Sequence, residues 1–165
     1  MKEIFHRRSI RKYLDIPIAS THIDKILRAA MAAPSARNQK PWEYYVVTNK
    51  EKLQQLSECS EFAKMVANAP LCFVACRRTQ NLNSPHFSVI DMAASVENML
   101  LEIDHCGLGA CWIGICPVQK RMDNVAKALE LPDTLEAFAL IPCGYPNQET
   151  SDRDNFEEAR VHYID

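Results

Sequence analysis

The chain has 165 residues, 47% of them hydrophobic and 24% charged, which is the make-up of a globular protein with enough length to bury a real core. Nineteen Lys+Arg stand against 21 Asp+Glu, for a formal net charge of −2. That balance excludes disorder and argues against a nucleic acid or an anionic membrane held by bulk charge, while leaving room for a local basic site.

Residues 3–8 read as a short helix ending in a basic pair, with no apolar run of a secretory signal behind it. The longest mostly apolar stretch, Ala137 to Cys143, is too short to cross a bilayer, so a cytoplasmic chain is expected. Ser9–Tyr13 is a polar, extended segment. Thr21-x-x-Asp24 has the form of a capping box and opens a helix with an apolar stripe of Ile23, Ile26, Leu27, Ala30 and Met31, which Pro34 stops. Ser35–Pro41 is a polar loop and Tyr44–Thr48 a strand. Asn49 caps a helix that turns Leu53 and Leu56 inward, and a second short helix runs through Val66.

Leu71–Cys76 reads as a buried strand, followed by the longest helix, Pro85 to His105. Residues 90–103 of that helix are apolar on more than one face, so it is expected to be central or covered by a partner chain. Gly107 ends it. Gly109–Ile115 is a strand, Val118–Leu129 an amphipathic helix, and Leu135–Cys143 a strand closed by the turn Gly144-Tyr145-Pro146. The tail 151–165 is polar, with a last helix from Phe156. No repeat or linker divides the chain, so residues 1–165 read as a single domain. Four strands among five or six helices indicate an α+β fold with helices on both faces of one sheet.

Seven cysteines at 59, 72, 76, 106, 111, 116 and 143 form no C-x-x-C pair. Cys72, Cys76 and Cys143 read as small buried hydrophobes, and Cys106, Cys111 and Cys116 as packing around a strand, against the alternative of a cysteine-based metal or redox sensor. No glycine-rich phosphate loop exists among only four glycines, so a phosphate would be held by side chains. Arg7-Arg8-Ser9-Ile10-Arg11 is suited to that work, because guanidinium forks match phosphate oxygens in pairs. In an extended segment Arg7, Ser9 and Arg11 share one side and Arg8 takes the other. The second motif, Pro34-Ser35-Ala36-Arg37-Asn38-Gln39-Lys40-Pro41-Trp42, lies in a loop between a helix and a strand, and its amides are equipped to read a heterocycle edge.

Arg-Arg-Ser-x-Arg followed by Pro-Ser-x-x-Asn-x-x-Pro-Trp resembles the nitroreductase family of FMN-dependent oxidoreductases, in its compact branch. Glu97-Asn98-Met99-Leu100-Leu101, Gly107–Ile115, Pro142–Pro146, and Asp152-Arg153 with Arg160–Tyr163 are similar to the family's later signatures, in the same order. The resemblance implies a mixed, mainly antiparallel sheet and an intertwined homodimer with an FMN at each of two interface sites. It implies that Arg7, Arg8, Ser9 and Arg153 hold the phosphate and ribityl chain, that Arg11 lies at the pyrimidine end, and that Pro34, Ser35, Ala36, Asn38 and Gln39 come from the second chain. It further implies that Trp112, Ile113 and Gly114 meet the flavin edge, with a backbone N–H at N5.

The implied reaction is ping-pong hydride transfer from NADH or NADPH to a small acceptor such as a nitroaromatic or a quinone, with no protein acid or base required. The alternatives on the same fold are a flavin-storing module, a reductive dehalogenase or a flavin-destroying enzyme. Two departures stand out: Lys40 occupies the position before Pro-Trp where the family commonly has Gln, and a longer insert is missing. Residues 77–88, with Arg77, Arg78, Thr79, Gln80 and Asn81, are therefore expected to rim the acceptor pocket.

Overall fold

A computed structural model describes residues 2–151 and 154–164. Five helices and five strands are present among them: α1 (Glu3–His6), α2 (Ser20–Met31), β1 (Trp42–Val47), α3 (Lys50–Ser57), β2 (Leu71–Arg78), α4 (Ser88–His105), β3 (Gly109–Ala110), β4 (Ile113–Gly114), α5 (Gln119–Leu129) and β5 (Leu135–Gly144). Every strand pairing is antiparallel; β1 joins β2, β2 joins β5, and β3 and β4 both lie on the far side of β5.

The single strand expected over Gly109–Ile115 is thus two short ones, with Cys111 and Trp112 unladdered between them. Pro142 is the cause. Cys111 N–H donates to Pro142 O at 3.3 Å, but Pro142 has no N–H to return the bond, so the ladder lapses and resumes in unchanged register at Ile113↔Leu140.

Alternation along the central strands, reset in β5 by a register shift opposite Ala75 and Cys76, divides the core in two. Phe73, Ala75, Ala139 and Ile141 pack with α2 and α4 on one face, while Val74, Cys76, Ala137 and Leu140 pack with α3 and α5 on the other. Both faces are covered, which is why β5 reads as a nearly continuous apolar run.

Within α4, Met92, Val96, Met99, Leu100 and Ile103 are buried, yet Ile90 remains 63% exposed, beside the exposed Val89 and Phe87. A 3₁₀ turn at Pro85–Phe87 precedes this helix, which begins at Ser88. The capping box expected at Thr21 is not made. Helix α2 starts two residues earlier, with Ala19 as its N-cap and no side-chain cap, and Asp24 pairs along the helix with Arg28 at 2.7 Å. The expected last helix is only a 3₁₀ turn, Glu158–Arg160.

Residues 9–14 are strapped across the end of the sheet. Ser9 bridges Ala110, Ile10 N–H donates to Ala110 O at 2.9 Å, and Leu14 N–H donates to Tyr145 O at 2.9 Å. The Tyr13 hydroxyl lies 2.6 Å from Ile10 O and 3.1 Å from Pro142 O. Two paired glycines make room for this strap. A Cβ on Gly109 would collide with the Ile10 side chain, and one on Gly144 would sit 2.8 Å from Pro70 Cδ and 3.0 Å from Tyr13 Cβ.

Candidate functional site

The strap delivers the basic motif to a cavity of about 500 Å³ lined by Arg7, Arg8, Ser9 and Arg11, and across from them by Gln148–Ser151 and Asn155. Arg8 lies with the others and does not face away from them, as strict strand alternation had suggested. Arg7 sits at the C-cap of α1 with φ −49° and ψ 131°, so the chain is still turning out of the helix there. The Gln148 side chain closes the wall by accepting from Arg11 N–H at 2.8 Å and Lys12 N–H at 3.2 Å.

Arg8 is the unusual member. Its Nη1 donates to Arg7 O at 2.7 Å, but its Nε and Nη2 are buried with no hydrogen-bond partner among the described residues. A buried guanidinium with idle donors is costly unless an anion completes it. Three guanidiniums line the cavity with one carboxylate, Glu149, and although Arg7 also pairs with Glu97 at 3.6 Å, a cationic excess remains, so the cavity is anion-seeking. Arg153 lies outside the described residues.

A second cavity, of about 340 Å³, adjoins the first through Arg11, which lines both. Its other walls are Cys111, Trp112, Ile113 and Gly114 on one side and Glu61, Phe62, Lys64 and Met65 on the other. Trp112 is tilted against Phe138 with ring centroids 5.7 Å apart, which fixes the indole. Gly114 is exposed, and a Cβ there would meet nothing within 4 Å. The chain itself does not need glycine at 114, whereas an outside group lying close to the backbone does.

The sequence reading brought 111–114 and Arg11 to this place but missed 61–65 and 148–151. Those segments are short and without periodicity, and only the fold sets them opposite the motif. The residues expected to form the rim, Arg77 and Arg78, serve elsewhere. Arg77 pairs with Glu136 and donates to Ser88, and Arg78 donates to the carbonyls of Gln39 and Lys40 at 2.8 and 2.9 Å. Gln80 and Asn81 line a separate hollow of about 220 Å³ with Glu43 and Thr134.

The loop 34–40 lines neither the arginine cavity nor its neighbour. It is held from behind by Asp91, which accepts from Ala36 N–H at 2.9 Å and from Gln39 Nε2 at 2.6 Å. Gln39 is buried, and its amide also exchanges bonds with the Ser84 backbone at 2.9 Å each way. The cofactor contact expected of that side chain is thereby replaced by a bracing role. Ser35 accepts from Lys40 N–H at 3.0 Å. Arg37, Asn38 and Lys40 have φ of 51°, 53° and 45°, a run of left-handed non-glycine residues that persists because the Asp91 clamp over-determines it. Pro34, Arg37, Asn38 and Lys40 are exposed, and they face outward from this chain.

No group of three metal-ligating side chains occurs among the described residues. Burial pushes the Cys59 thiol up to about 11 and the Cys76 thiol up to about 12, and raises Cys72 and Cys143 further, so these thiols stay protonated and unreactive at neutral pH. No helix of the described residues is long and apolar enough to cross a membrane.

The profile of the Nitroreductase family matches residues 4–62 and 58–145. The chain belongs to the nitroreductase family. A relative from Methanothermobacter thermautotrophicus, provisionally named an NADH dehydrogenase/NAD(P)H nitroreductase, is 37% identical over 162 residues, covering 98% of this chain and 85% of its own. Among solved nitroreductase-like structures, a provisionally named NADH oxidase of Clostridium acetobutylicum superposes with a TM-score of 0.94 at 38% identity, over 97% of each chain. A provisionally named nitroreductase of Desulfovibrio desulfuricans, solved in complex with FMN, gives a TM-score of 0.84 at 25% identity, over 99% of this chain and 95% of that one. The mixed α+β, antiparallel architecture with helices on both faces is therefore the nitroreductase fold.

Proposed function

We propose that this chain is an FMN-dependent oxidoreductase that takes a hydride from NADH or NADPH and delivers it to a small acceptor such as a nitroaromatic or a quinone. The observation that carries the reading is the convergence of Arg7, Arg8, Ser9 and Arg11 on one cavity. The residues fit the cofactor. A phosphate would be held in the arginine cavity by Arg7, Arg8 and Ser9. A planar ring takes the second cavity, between Trp112–Gly114 and the 61–65 wall, where Gly114 leaves the backbone uncovered.

Bound there, FMN supplies the hydride chemistry, and the chain supplies placement and charge. Arg11, which belongs to both cavities, places a cation beside the ring end of the site, where negative charge is stabilised on reduction. Donor and acceptor use the open side of the second cavity in turn.

The same reading takes residues 1–165 as one domain and the working unit as a homodimer. Exposed Phe87, Val89 and Ile90 on and beside α4 call for cover, and the outward-facing loop 34–40 would serve the partner's site. Sedimentation velocity tests the dimer, for which a monomer at micromolar concentration is the refuting result. The cofactor is tested by a visible spectrum of the purified protein and anaerobic titration with NADH and then NADPH. A flavin band bleached by either donor is the expected outcome, and a colourless protein that takes up no added FMN overturns the reading.

A further inference from the structure

One cation outside the two cavities touches three of the residues that wall the second one. Arg121, in the first turn of α5, donates from Nη1 to Gly114 O at 3.1 Å. Its Nη2 lies 3.5 Å from Glu61 Oε1, and its guanidinium carbon sits 5.1 Å from the centre of the Phe62 ring. Arg121 does not itself line the cavity, whereas Gly114, Glu61 and Phe62 do. The side chain is 24% exposed, so it is held in a partly shielded position, unlike a free surface charge.

Opposite walls of the cavity therefore meet behind it on one guanidinium: β4 through a carbonyl, and the 61–65 segment through a carboxylate and an aromatic face. Among the described residues, Glu61 and Phe62 have no other ionic or aromatic partner, and the Phe62 ring is 59% exposed. Only an arginine makes this joint. Its planar fork donates in two directions while its face lies on a ring, and an ammonium reaches one of those partners at a time.

We propose that Arg121 is a positioning residue that sets the width of the second cavity, and hence how a flat acceptor or nicotinamide is received, by locking the 61–65 wall to β4. This rests on the cofactor reading above for what enters the cavity, but not for the lock itself. The lock predicts that the wall loosens when Arg121 is lost, while the arginine cavity holding the phosphate is unchanged.

The test uses Arg121→Met and Arg121→Lys, with Phe62→Leu as a variant that leaves α5 intact. The first readout is hydrogen exchange of the protein as purified. Ala63 and Val66 N–H, bonded at 3.0 and 2.9 Å to Ser60 O and Ala63 O, report the wall, and the α5 amides report folding. We expect roughly tenfold faster exchange at 63–66 in both Arg121 variants with the α5 amides unmoved. The second readout is FMN affinity, expected to weaken by no more than about fivefold because the ring shares this wall while the phosphate does not, against the KM for a planar quinone, expected to rise about five- to tenfold with kcat within about twofold.

Phe62→Leu is expected to raise the same KM in the same direction. Unchanged exchange at 63–66, or full rescue of exchange and KM by Lys, overturns the proposal, because charge alone would then suffice. A wild-type protein that binds no flavin would sink the cofactor reading, while the exchange result would still decide the lock.

Discussion

Two nitrogens of Arg8 are buried and bonded to nothing among the described residues. In the absence of an anion this is a destabilising feature, and a bound phosphate would offset it. The two states give opposite expectations for one substitution. Arg8→Met should weaken FMN binding by about ten- to a hundredfold, the worth of one or two charge-assisted hydrogen bonds. Removing an uncompensated buried charge should at the same time leave the melting temperature of the flavin-free protein unchanged or raised. Fluorescence titration with FMN and a melt of the flavin-free protein check both halves, and unaltered FMN affinity would remove Arg8 from the site.

The glycines divide in a similar way. Gly109→Ala forces a Cβ into Ile10 and should cost about 1–3 kcal/mol by chemical denaturation. Gly114→Ala meets nothing within the chain and should stay within about 0.5 kcal/mol of wild type, with its effect confined to the cofactor. Sequence alone marks both positions as glycine; the direction in which each lacks a side chain is visible only once Ile10 is seen lying against one and open space against the other.

At the scale of elements, most of what formed was legible. Periodicity located α2, α4 and α5, and unbroken apolar runs located β2 and β5. The misses have local causes. Pro142 withholds one N–H and splits the expected third strand, and Asp24 pairs with Arg28 where a cap had been expected. The loop 34–40 was legible as a loop but not as a strained one. Its left-handed residues are stabilised by Asp91, a buried carboxylate 55 positions away from Ala36. Asp91→Ala leaves Ala36 N–H and a buried Gln39 donor without that acceptor and should cost about 2 kcal/mol or more. The loss should appear as faster hydrogen exchange at residues 36–40, and exchange equal to wild type would show that the loop holds its own shape.

For the whole molecule, the buried thiols and phenols govern behaviour in alkali. Burial holds Cys76 and Tyr44 protonated up to about pH 12, and it raises Cys72 and Cys143 as well. In the unfolded chain these groups ionise from about pH 9, so the unfolded state binds fewer protons than the fold above that point and stability falls as pH rises. Below pH 9 both states are protonated and the contribution is complete. Thermal melts should therefore be flat in this respect from pH 7 to about 9 and decline steadily toward pH 12; a melting temperature independent of pH over that upper range would contradict the burial of these groups.

Composition, periodicity and six ordered motifs determined the family of this protein, its element types and the basic segment that lines the arginine cavity. These are properties of local patterns, because a helix stripe or an arginine fork is written in neighbouring residues. Tertiary structure alone decided that Arg8 joins the arginine cavity, that 148–151 complete its walls and 61–65 those of its neighbour, that Gln39 braces its own loop, and that Arg77 and Arg78 leave the rim. Each of those outcomes depends on residues far apart in the chain competing for the same hydrogen bonds and the same space, and that competition is settled only when both faces of the sheet are packed.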